Sequence, residues 1–193
     1  MTPPIAVPIV NRDLIDADAS RAGPRRVLFL DRDGVINVNH GYVHAPEQTD
    51  WVPGIFDLAR FARKAGFAIV VVTNQAGIAR GYYDVGQFER YTRWMHDQFE
   101  REGASLLATY YCPHHPDAGI GDLRVACACR KPQPGLLLAA AHDWSISLDS
   151  SVLVGDQPSD IEAAARAGVR ARFLAADGDF AAALDWLTAA TEG

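Results

Sequence analysis

The sequence predicts an α/β protein built on a parallel sheet with helices on both faces. Two observations carry this. Short, almost wholly apolar runs recur near 27–30, 67–72, 106–111, 151–155 and 169–174, as expected of strands buried on both faces. Helical periodicity and helix start or stop residues fill the intervals, and strand–helix alternation implies parallel strands joined by right-handed crossovers. A third observation concerns function. The polar clusters Asp31/Asp33, Thr73-Asn74-Gln75 and Gly155-Asp156 with Asp160 all follow strands, and in open α/β sheets ligands bind beyond the carboxyl ends of the strands.

Each element has its own signal. Val27 to Leu30 is the first strand, ending abruptly at Asp31-Arg32-Asp33-Gly34. A loop over 32–52 follows, and a helix is expected from about Pro53 to Gly66, with proline in its first turn and glycine at its end. Phe67 to Val72 is the second strand. Asp84 can cap a long helix carrying Val85, Phe88, Tyr91, Met95 and Phe99 on one face, a stripe that reads as core. Leu106 to Tyr111 is the third strand and leads into a loop of cysteines and histidines. Pro134 opens a helix through about Asp143. Ser151 to Gly155 is the fourth strand. Ser159 is the expected cap of the next helix, which stops before Gly168. Val169 to Leu174 is the fifth strand, and Phe180 to Thr188 the last helix.

At 193 residues, one domain is expected, spanning 25–193. Residues 1–24 read as an N-terminal extension, poorly ordered or loosely packed. Met1 to Val10 holds three prolines and no basic residue, so it is not expected to be a signal peptide. No apolar run reaches the ~20 residues of a membrane span. A formal charge of −6 argues against nucleic acid as a partner. Three clustered cysteines, Cys112, Cys127 and Cys129, make a poor disulfide framework and fit reduced thiols in the cytoplasm.

Two carboxylates one residue apart at a strand end repel each other unless a cation or a nucleophilic role uses them. Alone, they could equally be an Asp-rich turn. The later strand ends add a hydroxyl at Thr73, an ammonium at Lys131 and further carboxylates at Asp156 and Asp160.

This ordered set resembles the haloacid-dehalogenase-like (HAD-like) phosphohydrolases, which have a Rossmann-like parallel sheet. Finer details resemble the heptose bisphosphate phosphatases and their histidinol-phosphatase relatives within that family. Those details are Asn39-His40-Gly41-Tyr42-Val43, Thr73 through Gly81, and Cys112-Pro113-His114-His115-Pro116 with Cys127-Ala128-Cys129-Arg130-Lys131-Pro132.

The resemblance implies roles. Asp31 would attack phosphorus and form an aspartyl-phosphate. Asp33 would protonate the leaving oxygen and then activate water. Thr73, Lys131 and Arg130 would complete the catalytic set by holding phosphoryl oxygens. Mg²⁺ would be held by the carboxylates of Asp31 and Asp156 and the backbone carbonyl of Asp33. Asp160 would orient Lys131 or the metal shell. Structural Zn²⁺ would be held by Cys112, His114, Cys127 and Cys129, a Cys₃His set that leaves no open position; His115 fits less well as a ligand.

The 41 positions from 32 to 72 hold only a loop and a helix, so no large cap domain is expected. Specificity then falls to loops. Asn39, His40, Gly41, Tyr42, Asn74, Gln75, Ala76, Arg130 and Lys131 are implied to contact a sugar bisphosphate, with Arg80 a weaker candidate for its distal phosphate. Asn39 stands where relatives commonly carry an acidic residue, and Gln157 where a lysine is common; both bear on substrate preference. The implied reaction is removal of the C7 phosphate of D-glycero-D-manno-heptose 1,7-bisphosphate, on the way to a nucleotide-activated heptose, by a monomer with no membrane partner. The alternatives are a histidinol-phosphate phosphatase and a zinc-stabilised binding module without catalysis.

Overall fold

The computed structural model describes residues 8–11, 23–175 and 178–192. Among these, six strands form one sheet: β1 (Ile9–Val10), β2 (Val27–Leu30), β3 (Ala68–Asn74), β4 (Ala108–Cys112), β5 (Val152–Gly155) and β6 (Ala171–Leu174), in the order β1-β4-β3-β2-β5-β6. The five strands from β2 to β6 run parallel, in register Leu30↔Val71 and Leu30↔Val154 at the centre. β1 departs from the all-parallel expectation, pairing antiparallel with β4 through Ile9↔Thr109 and Val10↔Ala108. Part of the expected N-terminal extension therefore joins the sheet, while positions 1–7 and 12–22 lie outside the described residues.

The helices are α1 (Ile55–Lys64), α2 (Ala76–Ala79), α3 (Val85–Arg101), α4 (Gly135–Trp144), α5 (Pro158–Ala167) and α6 (Ala181–Glu192). Alternation along the strands divides two cores. Leu28, Leu30, Ile69, Val71, Val152 and Val154 face α1, α3 and α6. Val27, Phe29, Val70, Val72, Tyr110 and Leu153 face α4 and α5. β2 is fully enclosed between them, each buried side chain contributing roughly 1.5–3 kcal/mol. No helix among the described residues is long and apolar enough to cross a membrane.

Local chemistry sets the boundaries. Asp84 Oδ1 accepts from the Gln87 N–H at 2.7 Å while Gln87 Oε1 accepts from Asp84 N–H at 2.9 Å, a reciprocal cap that fixes the start of α3. Phe88, Tyr91, Met95 and Phe99 are buried as the stripe predicts, but Val85 is exposed. Ser159 does not cap α5. Pro158 takes the first helical position, so the cap falls two residues before the expected one, at Gln157.

Candidate active site

The carboxyl ends of β2, β3 and β5, with the loop before α4, surround a cavity of about 390 Å³. It is lined by Asp31, Asp33, Asn39, Gly41, Tyr42 and Thr73, by Asn74 to Gly77, and by Tyr83, Lys131, Asp156, Gln157, Ser159 and Asp160. At its floor Lys131 Nζ lies 2.8 Å from Asp31 Oδ1 and 2.6 Å from Asp160 Oδ1, and donates to Val72 O at 2.8 Å. Asp31, Lys131 and Asp160 are all buried. Burial pushes the Asp31 carboxyl up to about 7, with the Lys131 ammonium acting against it. Burial also pulls on Lys131, but Asp31 and Asp160 outweigh it and hold the ammonium above its usual range. A buried group of this kind persists only with all its partners in place.

Asp33 is gripped from three sides. The fully buried Arg32 donates Nε at 3.2 Å and Nη2 at 2.8 Å to Asp33 Oδ1, and Nη2 at 2.6 Å to Oδ2. Asn37 Nδ2 adds a bond at 3.1 Å and Gln75 Nε2 one at 3.2 Å. Arg32 also donates to Val43 O at 2.7 Å and sits 5.2 Å over the Tyr91 ring, so the guanidinium ties Asp33 to the 39–43 loop and to α3.

Oxygen ligands for a cation gather beside Asp31. The carboxylates of Asp31, Asp156 and Asp160 offer oxygens within 4.8 Å of one another. Asp160 has both oxygens engaged, by Lys131 and by the Gln157 N–H at 3.0 Å. Asp156 Oδ1 is buried with no hydrogen-bond partner, and burial pushes its carboxyl up; a hard cation is the partner such an oxygen lacks. Gly34, at φ 93°, leaves room for the Asp156 carboxylate to take this position, since a Cβ there would overlap it.

A second cluster joins the end of β4 to the segment before Lys131. Cys112, Cys127 and Cys129 have sulfurs 3.2–3.5 Å apart, and His114 Nδ1 lies 3.8 Å from Cys112 and 3.5 Å from Cys129. The edges of a tetrahedron with ~2.3 Å metal–sulfur bonds are of roughly this length, and these four groups could hold a metal ion. The hydrogen bond with Cys112 pulls the Cys129 thiol down to about 5.

The HAD-hydrolase-like family model matches residues 128–187. The D-glycero-alpha-D-manno-heptose-1,7-bisphosphate 7-phosphatase of Burkholderia mallei is 50% identical over 80% of this chain and 82% of its own length. The beta-heptose enzyme of Escherichia coli K12 is 46% identical over 78% and 79%. The chain belongs to the heptose-bisphosphate phosphatase family of HAD-like hydrolases. It is thus an enzyme, a phosphoric monoester hydrolase. A D,D-heptose 1,7-bisphosphate phosphatase of B. bronchiseptica, solved with magnesium and phosphate, superposes at a TM-score of 0.68 with 35% identity, covering 77% of this chain and 79% of that one.

In this heptose-bisphosphate phosphatase relative, most of the residues singled out from the sequence converge on the cavity. Two do not line it. Arg130 is turned away, its Nη1 donating to His114 O at 3.2 Å. His40 sits on the rim, 2.8 Å from the exposed Asp50 carboxylate. His115 lies outside the four-ligand cluster, its Nδ1 accepting from the N–H groups of Asp117 and Ala118. The two unusual positions are both tied locally: Asn39 Oδ1 accepts from Gly41 N–H, and Gln157 Nε2 donates to Asp156 Oδ2. Sequence reasoning assigned nothing to Arg32, Asn37 or Tyr83. Arg32 had a signal, a cation between two aspartates, though its burial is visible only in the fold.

Proposed function

We propose that the protein is a Mg²⁺-dependent phosphatase that removes the C7 phosphate of D-glycero-D-manno-heptose 1,7-bisphosphate. The observation that carries this is the Asp31–Lys131 pair at 2.8 Å on the cavity floor, beside the unpartnered Asp156 oxygen, in a chain half identical to an enzyme of that name. The Asp31 carboxylate attacks phosphorus as the bond to the sugar oxygen breaks, giving an aspartyl-phosphate. Asp33, oriented by Arg32, Asn37 and Gln75, gives its proton to the departing sugar oxygen. It then takes one from the water that hydrolyses the aspartyl-phosphate. The Lys131 ammonium and the Thr73 hydroxyl hold phosphoryl oxygens, on which transition-state charge spreads. Asp31, Asp156 and the Asp33 carbonyl would hold Mg²⁺, which when bound offsets the repulsion between these carboxylates and an anionic substrate.

The Cys112, His114, Cys127 and Cys129 set takes Zn²⁺ in a structural role, because all four positions of a tetrahedron are filled by protein. Its place just before Lys131 lets it fix where that ammonium enters the cavity. With no cap domain over the cavity among the described residues, Asn39, Gly41, Tyr42, Asn74 and Ala76 at its walls meet the sugar, while His40 and Arg130 stand outside that lining. The protein acts as a monomer in the cytoplasm, where its three unbridged thiols stay reduced.

Phosphate release from the α- and β-anomers of the heptose bisphosphate, and from histidinol phosphate, tests this directly. The expected result is turnover of the heptose bisphosphate far above histidinol phosphate, abolished in Asp31→Asn. A preference for histidinol phosphate, or full activity in Asp31→Asn, sinks the reading. The two anomers are compared because relatives of similar identity are named for opposite ones.

A further inference from the structure

Gln75 spends its whole amide on the fold. Its Nε2 is 2.8 Å from Thr73 Oγ1 and 3.2 Å from Asp33 Oδ2, and its Oε1 accepts from the Tyr83 hydroxyl at 2.6 Å. Two anchors hold this orientation: the Tyr83 hydroxyl gives its proton to Oε1, and while Asp33 is ionised against Arg32 a reversed amide would set its oxygen against that carboxylate, two acceptors with no proton between them. With the nitrogen facing inward, Thr73 Oγ1 accepts from Gln75. The hydroxyl's one proton is then left for another acceptor. Thr73 is buried beneath the cavity that it lines with Asp31 and Lys131.

The far end of this chain of bonds is anchored. Tyr83 is buried, and its ring stacks on His44 with centroids 4.6 Å apart. Cε1, Cζ and the hydroxyl of the ring lie against Gly77, where any Cβ would overlap them. Burial pushes the phenol up to about 12, against the pull of Arg32, so its proton is present throughout the neutral range.

We infer that Tyr83, acting through Gln75, is a positioning residue: it sets the polarity of the Thr73 hydroxyl, so that Thr73 donates to the transferred phosphoryl group while Asp33 Oδ2 stays in place. Gln75 is accordingly a link in this relay and makes no contact with the sugar. The inference rests on the phosphatase reading above, and it adds two residues to the machinery that act without touching substrate.

Tyr83→Phe, Gln75→Glu and Thr73→Val test it, with kcat and KM measured on p-nitrophenyl phosphate and on the heptose bisphosphate, and orthovanadate affinity measured in Mg²⁺. Tyr83→Phe should lower kcat and vanadate affinity roughly tenfold, the scale of one hydrogen bond, with KM within about twofold. Gln75→Glu should cost roughly a hundredfold or more, because a carboxylate would take the Thr73 proton and repel Asp33. On a Thr73→Val background Tyr83→Phe should cost clearly less than in the wild type, a coupling that a merely structural tyrosine would not show. If Tyr83→Phe leaves either kcat on p-nitrophenyl phosphate or vanadate affinity at the wild-type level, the relay is wrong. Failure of the substrate reading looks different: p-nitrophenyl phosphate is turned over and the heptose bisphosphate is not.

Discussion

Asn74 and Lys131 clasp each other across the cavity wall. The Asn74 side-chain amide donates to the Lys131 carbonyl at 3.1 Å, and the Lys131 N–H donates back to Asn74 Oδ1 at 3.0 Å. The last residue of β3 thereby sets the backbone from which the Lys131 ammonium reaches Asp31. Asn74→Ala is expected to lower kcat roughly tenfold and to cost about 1–2 kcal/mol of stability. Steady-state kinetics and a urea titration measure both. A stability loss with unchanged kcat would mean the clasp holds only the loop.

Gly34 keeps a space beside Asp156. Its φ of 93° is strained for any other residue, and a Cβ would collide with the Asp156 carboxylate. Gly34→Ala should raise the Mg²⁺ concentration needed for half-maximal activity by at least tenfold, or abolish activity, while the protein stays folded. A variant with the wild-type Mg²⁺ response would show that Asp156 does not bind the cation.

Metal analysis of the purified protein should find one Zn²⁺ per chain, independent of added Mg²⁺. Cys127→Ser/Cys129→Ser should lose it and lower kcat at least tenfold, because Arg130 and Lys131 directly follow Cys129. Full turnover in a zinc-free variant would separate the loop from catalysis.

His96 gives a pH signature remote from the cavity. It lies in α3, its Nε2 2.8 Å from Thr109 Oγ1, and burial, reinforced by Arg93, pulls it down to about 4 from 6.5. Between those values the unfolded chain binds a proton that the folded chain refuses. The contribution of His96 is therefore at its full value above about pH 6.5 and is lost as pH falls toward 4. The loss amounts to on the order of 3 kcal/mol. His96→Gln should flatten the stability–pH curve across that window. Parallel curves for the two proteins would refute it.

The strands and most helices were legible because burial on both faces writes itself as apolar runs, and because Asp84 and Gly168 are caps with a mechanism. β1 was not. Two residues carry no period, and their pairing exists only because β4 offers an edge. The cavity's acidic and hydroxyl groups were legible through their place at strand ends. The residues that orient them were not: Arg32 would read as a surface cation, and only the enclosure by Asp33, Phe88 and Tyr91 makes it part of the interior. Tyr83 had no local signal at all, since its value lies in a contact with Gln75 eight positions earlier. Arg130 shows that adjacency to Lys131 in the chain does not decide direction, since its side chain turns toward the cysteine loop.

The short β1 strand has a bearing on how this protein behaves in company. Without it, the outer side of β4 would present unpaired N–H and C=O groups along a flat, apolar segment, a template for strands of other molecules. Ile9 and Val10 occupy that side and hand the edge to a strand too short to recruit another. Ile9 and Val10 are thus a shield against self-association, and removing their pairing should show first as aggregation under concentration, with the chemistry at the far ends of the strands intact.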